Sequence, residues 1–426
     1  MHDLRLLRER PGELREALRR RGTLDSIGAA VDRAEALERQ RRACIHAAEE
    51  KRAEANALTQ DVRRLKQAQL DATSLIERGR VLGAELDRLE EERATTEAAF
   101  TALGLEFPNI TLPDVPAGGE TANVVIRSWG TPRPVDGCRP HWDIAGPDGL
   151  GILDLARGAK VAGSGFVAFR GLGARLVRSL MTLMIDLHTR EHGYEEVWIP
   201  FVVNRASMTG TAQFPKFEEE QYGIAGDDLF LVPTAEVPVT NLYRDEIMEA
   251  AALPRGFVTY SPCFRREAGA HGKDTRGLLR LHQFDKVELV RYAAPDDSPA
   301  QLELMTGHAE AVLQRLGLPY RVVLLAAGDT GFAAAKTYDL EVWAPGVGRW
   351  LEVSSCSTCT DFQARRANIR FRPGGAAKPA FVHTLNGSAI AFPRLIAALI
   401  EHYQEPGGGV RVPDALRPAM GADRLG

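Results

Sequence analysis

Arg265 closes the apolar run 257–264, and the loop beyond it is crowded with cations: Arg266, Lys273, Arg276 and Arg280. A guanidinium is planar, permanently charged and able to bind two phosphate oxygens at once. An arginine at a strand's end, with more basic side chains on the following loop, therefore suits a triphosphate. On charge alone the stretch also reads as a solvated basic hairpin. Three further residues complete a site: Glu267 as acceptor for an adenine amino group, Phe284 as a stacking ring, and Glu288 as anchor for an ammonium. Neither Gly-x-Gly-x-x-Gly nor a P-loop occurs in the chain, so nucleotide chemistry would have to use this constellation.

The elements that would carry these residues are mixed. Residues 174–192 form an amphipathic helix pattern, and 196–199 read as a strand stopped by Pro200. The runs 257–264 and 283–292 are strands flanking the basic loop. Further strands are expected at 320–326, 340–343 and 351–355, and a closing helix at 390–404. Strands joined by hairpin-like loops, with helices inserted between them, predict an α+β domain on an antiparallel sheet over residues 135–426.

The N-terminal part is of another kind. No proline occurs between Pro11 and Pro108 and no glycine between Gly28 and Gly79. Spacings of three and four connect Ala34, Leu37, Arg41, Cys44, Ala48, Lys51, Ala55, Leu58, Val62 and Leu65. They resume at Leu75, Gly79, Leu82, Leu86, Leu89, Arg93, Thr96, Phe100 and Leu103. The polar stretch 66–74 allows a reversal, so residues 1–106 predict an antiparallel two-helix coiled-coil arm, each helix about 50 Å long. Such a coil serves dimerisation or spacing, or it grips an extended anionic ligand through Arg39, Arg41, Arg42, Lys51, Arg52, Arg63, Arg64 and Lys66. Residues 107–134, rich in Pro, Gly and Thr, read as a linker.

With 426 residues the chain exceeds one hydrophobic core. A net charge of −4 does not advertise a nucleic-acid binder, but binding follows local patches rather than the sum. No apolar run is long enough to span a bilayer, so no membrane is expected. Cys44, Cys138, Cys263, Cys356 and Cys359 make no even, closely spaced framework, which fits a reducing cytoplasm.

Phe264-Arg265-x-Glu267 with its loop, and the stretch Asn386-Gly387-Ser388-Ala389-Ile390-Ala391-Phe392-Pro393-Arg394, resemble the second and third signature motifs of class II aminoacyl-tRNA synthetases. The words Pro233-Thr234-Ala235-Glu236-Val237-Pro238, Tyr338-Asp339-Leu340-Glu341-Val342-Trp343, Glu352-Val353-Ser354-Ser355-Cys356-Ser357 and Phe362-Gln363-Ala364-Arg365-Arg366 are similar to those of bacterial-type seryl-tRNA synthetases. With the arm included, the resemblance covers nearly the whole chain. It implies a serine–tRNA ligase that forms seryl-adenylate from serine and ATP and transfers it to the 3′ end of tRNA(Ser), and also of tRNA(Sec).

The resemblance further implies residue roles. Arg265 and Arg394 would be catalytic, the first on the α-phosphate and the serine carboxylate, the second on the γ-phosphate. Arg266, Glu267, Phe284, Glu352, Val353, Ser354 and Ser355 would join them in binding ATP. Thr234, Ala235, Glu236, Arg265, Glu288 and Ser388 would bind serine, with Thr234 and Glu288 at the amino group and Glu236 with Ser388 at the hydroxyl. Glu352 and Ser355 would hold Mg²⁺ through ATP. Cys356-x-x-Cys359 has no second pair nearby, so no zinc is expected. His282 is read as a structural hydrogen-bonder, because the serine carboxylate is already ionised and needs no base. Pro200 implies a homodimer.

Three departures from the family pattern bear on the pocket. Ala212 and Phe214 stand on a loop expected over the serine site, and Ala389 follows Ser388 where the family has glycine. Two alternatives share the chemistry: a duplicate synthetase serving inhibitor resistance or a biosynthetic pathway, and an amino acid:carrier-protein ligase, which would have no use for the arm.

Overall fold

The computed structural model describes residues 1–267, 276–375 and 377–426, so Ala268, Gly269, Lys273, Asp274 and Thr275 of the basic loop lie outside the described residues. The chain divides into two compact units, His2–Pro108 and Asn109–Gly426, the latter together with Met1.

The first unit is helical. Asp3 caps α1 (Leu4–Glu9) by accepting from the Arg5 amide, and Pro11 opens α2 (Pro11–Arg20), where its missing N–H costs nothing. The long pair follows, α3 (Leu24–Gln67, 44 residues) and α4 (Thr73–Gly104, 32 residues). Every position of the two seam series is buried or half-buried, as the spacing of three and four predicts. Burial is uneven along the seam, however. Leu7, Leu14, Leu18, Val31, Ala34, Phe100, Leu103 and Phe107 make a closed core near one end. Towards the reversal ion pairs take over, with Lys51 Nζ 2.7 Å from Glu85 and Arg78 2.7 Å from Glu54. A buried charge lies outside the period. Glu38 is on the seam's flank, where Arg41, Arg42 and Arg8 surround its carboxylate, and hydrogen bonding to Arg41 leads in holding it down at about 2.

The second unit is built on one sheet of eight strands. In chain order these are β1 (Val124–Trp129), β2 (Glu195–Glu196), β3 (Arg255–Phe264), β4 (Gln283–Ala293), β5 (Tyr320–Leu324), β6 (Lys336–Ala344), β7 (Arg349–Thr360) and β8 (His383–Ala391). Their spatial order is β1-β5-β6-β7-β8-β4-β3-β2. All pairs are antiparallel except β2 with β3. The expected strands are present, though the one read at 196–199 shrinks to β2. Two strands go beyond the sequence pattern. β1 lies inside the stretch read as a linker, and as an edge strand it is too exposed to show alternation. β8 carries Asn386, Gly387 and Ser388, poor strand formers, at the centre of the sheet. Gly387 is required there, because a Cβ would come within 2.9 Å of Cys356 Sγ.

Three helices, α5 (Leu172–Arg190), α6 (Ser298–Arg315) and α7 (Phe392–His402), share a single apolar core with the sheet. Pro393 sits in the first turn of α7, where it starts the helix. Among the described residues no helix is long and apolar enough to cross a membrane.

Candidate active site

The antiparallel pair β3 and β4 brings the loop-forming arginine and the chemistry of β4 together. Cys263 faces Phe284 and Thr259 faces Glu288. Alternation along β4 sends Val287 and Leu289 into the core and turns Lys286 and Glu288 to a cavity of about 630 Å³. The same alternation on β8 turns Asn386 and Ser388 to that cavity, while Gly387 backs onto Cys356.

Arg265 stands at the mouth of the β3–β4 hairpin. Its amide donates to the His282 carbonyl at 2.9 Å, and its own carbonyl lies 3.1 Å from His282 Nδ1, which makes that ring nitrogen the protonated one. His282 therefore clamps the hairpin. The Arg265 Nε points at the Pro233 carbonyl, 3.4 Å away, and its guanidinium lies over the Phe284 ring. Glu267 pairs with Arg280. Arg394, in the first turn of α7, is held by three acceptors: the Leu279 carbonyl at 3.1 Å, the Glu352 carbonyl at 3.0 Å and Glu352 Oε2 at 3.1 Å.

On the opposite wall Thr234 donates to Glu288 Oε2 at 3.1 Å and accepts from Lys286 Nζ at 2.9 Å, and Lys286 also pairs with Glu288. Glu236 is enclosed by protein apart from the surface it gives to the cavity. Burial and the neighbouring Glu288 push its carboxyl up to about 7, against the pull of Gln363, Lys286 and Arg265. Ser354 Oγ donates to the Ser388 carbonyl at 2.5 Å, tying β7 to β8 behind the pocket.

The cavity thus collects Arg265, Glu267, Phe284, Glu352, Val353, Ser354, Ser355, Arg394, Thr234, Glu236, Glu288 and Ser388. Two residues expected in the site from their motifs stay outside its lining. Ala235 is buried in a separate apolar cluster, because the short helix Glu236–Thr240 begins there and turns it inward. Arg266 is drawn away by its contacts to the Glu219 and Glu220 carbonyls. Ala389 does not crowd the pocket: it points into the main core. Phe214 packs edge-on against Phe230 at 4.7 Å, also off the cavity. Ala212 has φ 67°, a backbone conformation in which glycine is more at ease.

Lys286, Asn386, Gln363 and Asp339 join the site or its surroundings without a role that the sequence assigns them individually. Of these four, Lys286 alone carries a usable signal, since it lies two residues before Glu288 on a strand and must share its face.

Among the described residues no group of three or more His, Cys, Asp or Glu side chains is arranged to hold a metal ion. Cys356 and Cys359 are buried, the first beside Ser354 and pushed up to about 12 by burial, the second beside Asn386. A magnesium ion needs less than such a cage, because phosphates and water supply most of its ligands. The residues fit that use. Asp339 faces Ser355 across β6 and β7, its Oδ1 is buried without a hydrogen-bond partner, and burial with Glu352 nearby holds its carboxyl well above the usual range.

A mostly antiparallel sheet with an arginine at a hairpin mouth and a second arginine in the first turn of α7 defines a class II aminoacyl-tRNA synthetase core. Residues 216–403 match the tRNA synthetase class II core domain (G, H, P, S and T), and residues 1–111 match the seryl-tRNA synthetase N-terminal domain. A serine–tRNA ligase of Gemmatimonas aurantiaca is 63% identical over 422 residues, 99% of each chain. The crystal structure of seryl-tRNA synthetase from Pyrococcus horikoshii complexed with ATP superposes with a TM-score of 0.95 at 36% identity, covering 100% of this chain and 99% of that one. That of a cytoplasmic serine–tRNA ligase from Naegleria fowleri in complex with AMP gives 0.89 at 30% identity, covering 100% and 98%. The chain belongs to the seryl-tRNA synthetase family. Its reaction is that of a serine–tRNA ligase.

Proposed function

We propose that the cavity binds ATP and serine side by side and that Arg265 joins the two halves. ATP lies towards Glu267, Phe284, Val353, Ser354 and Arg394, with the adenine amino group donating to Glu267 and the ring against Phe284. Serine lies towards Thr234, Glu236, Glu288 and Ser388. Arg265 holds the α-phosphate and the serine carboxylate together, so that a carboxylate oxygen attacks phosphorus and pyrophosphate leaves. The work is positioning and charge neutralisation, and the ionised carboxylate needs no base. Mg²⁺ held through ATP by Glu352 and Ser355, with Asp339 behind them, would neutralise phosphate charge. A terminal tRNA hydroxyl then attacks the seryl carbonyl and takes the seryl group, the carboxyl–phosphate bond breaks and AMP leaves.

Lys286 supports the assignment of the ammonium site. Its own ammonium sits on Thr234 and Glu288, the pair assigned to the amino group of serine, so these atoms are already arranged around a cation. Glu236 explains rejection of alanine, because a buried carboxylate built to receive a hydroxyl is left unpaired without one.

The helical unit of residues 1–106 is the binding arm for tRNA(Ser), and for tRNA(Sec) by the same shape and backbone recognition. Residues 135–426 are the catalytic domain. Trp198, 76% exposed beside Pro200, supports a homodimer through that segment. Five free cysteines fit the cytoplasm.

The observation that carries the reading is the convergence of Arg265, Glu236, Glu288 and Arg394 on one cavity. Steady-state exchange of pyrophosphate into ATP tests it. Thr234→Ala and Glu236→Gln should raise the KM for serine and leave that for ATP. Phe284→Leu and Arg394→Ala should do the reverse. A serine-side variant that moves only the KM for ATP would overturn the arrangement.

A further inference from the structure

Gln363 has no exposed surface and stands on the short helix Phe362–Ala367, one layer behind the cavity. Its amide is committed on both sides. Nε2 donates to Glu236 Oε1 at 2.6 Å and points to the Thr211 carbonyl at 3.4 Å, while Oε1 accepts from Thr384 Oγ1 at 2.7 Å. A carboxylate and a carbonyl are pure acceptors, so the NH₂ group has to face them and the amide cannot be turned over. Asn386 Nδ2 donates to the same Glu236 Oε1 at 3.0 Å. Two donors thus converge on one oxygen of Glu236. Its other oxygen takes no side-chain hydrogen bond among the described residues, and the residue lines the cavity.

We propose that Gln363 is a positioning residue for serine recognition: it commits one oxygen of Glu236 and so presents the other, as an acceptor, to the serine hydroxyl. The inference rests on the reading that Glu236 receives that hydroxyl. The relay also ties the pocket carboxylate to Thr211, on the loop whose Gln213 lines the cavity. Asn386 alone would leave the carboxyl free to pivot about a single contact, whereas two donors from β8 and from the helix behind it fix the plane.

The groups facing Glu236 are Glu288 and Lys286 from β4, Arg265 at the end of β3, and Cys359 from β7. Burial and Glu288 favour its neutral form, and the Gln363 donor leads the forces that favour the charged one. Loss of that donor moves the carboxyl further up. Serine capture then needs a more alkaline solution.

Gln363→Met keeps the length and removes the donor. The full-length enzyme should show a KM for serine raised about tenfold at neutral pH, with the KM for ATP unchanged. Its profile of kcat/KM for serine should rise at a pH about one unit higher than in the parent, and its preference for serine over alanine should narrow. Thr384→Val, which only releases the amide's other end, should shift the same quantities less, and it carries the test if Gln363→Met fails to fold. A parent-like serine profile in a folded Gln363→Met protein, or equal losses for serine and ATP in either variant, would overturn the proposal. Glu236→Gln, measured in parallel, separates the two claims. If it loses the preference over alanine while Gln363→Met does not, only the role of Gln363 falls. If neither changes it, the reading of Glu236 falls as well.

Discussion

The guanidinium carbon of Arg265 lies 5.2 Å from the centroid of the Phe284 ring. Adjacent strands bring the two together, since Phe264 faces Gln283 and Cys263 faces Phe284 in the β3–β4 register. The ring therefore offers one flank to the cation and keeps the rest for a flat ligand. Phe284→Leu should raise the KM for ATP by roughly tenfold, the worth of about 1–2 kcal/mol of stacking. It should also loosen Arg265, so kcat should fall alongside. Exchange kinetics over a range of ATP concentrations check both, and an unchanged KM for ATP would place the adenine elsewhere.

Glu236 gives the site a pH dependence. With its carboxyl pushed up to about 7, the charged acceptor is lost as the solution is acidified through neutrality. kcat/KM for serine should therefore fall below about pH 7, while the KM for ATP stays level. The sign for folding is opposite: because the value is raised, this group favours the fold below the ordinary carboxylate range and that contribution is lost as pH rises through about 7. Glu236→Gln should remove the acid limb and cost about 10–100-fold in kcat/KM for serine.

Histidines at the end of α5 predict acid sensitivity of the second unit. His188 Nδ1 lies 2.9 Å from His192 Nδ1, His192 and His308 stack at 4.0 Å, and His308 Nδ1 is 3.1 Å from the Tyr194 hydroxyl. Burial first, and the neighbouring histidines second, hold His188 down at about 3 and His308 at about 4. Their depressed values mean that stability is present above the unfolded value near 6.5 and is lost as pH falls from there towards 4. Tm should drop on going from pH 7.5 to pH 5, and His188→Phe should flatten that drop. An equal drop in both proteins would contradict the assignment.

Deletion of the hairpin between Ala29 and Leu103, closed by a short Gly-Ser turn, should separate the half-reactions. Every residue assigned to ATP or serine lies beyond Pro200, so exchange should survive while charging of tRNA collapses. The full-length protein's affinity for tRNA should also fall steeply with salt. If the coil served dimerisation instead, the deleted protein would be monomeric and both half-reactions would suffer together. Mass in solution, exchange and charging decide between the two, and normal charging without the arm would refute its role.

The arm is legible because helix pairing writes a period into the sequence, and each seam residue from Ala34 to Leu103 sits where that period puts it. Glu38 is not, since a charged residue is buried by its partners rather than by its own character. In the sheet, β3 and β4 announce themselves through apolar runs. β8 does not, because a strand buried at the sheet's centre can be built from Asn, Gly and Ser when its neighbours leave no room for larger side chains. Residues that line the cavity are recognisable from charge and from motif. Those one layer behind, such as Gln363 and Asp339, become visible only when distant strands are brought side by side.

The proposed mechanism turns on Arg265, and serine-dependent exchange of pyrophosphate into ATP by Arg265→Ala tests that role most directly. On that mechanism the substitution would remove a charge-assisted contact to both reacting groups, worth roughly 2–4 kcal/mol in the transition state. Exchange should fall by about 30- to 1,000-fold in a protein whose Tm is unchanged. A rate within a few-fold of the parent would contradict the claim that Arg265 joins ATP and serine.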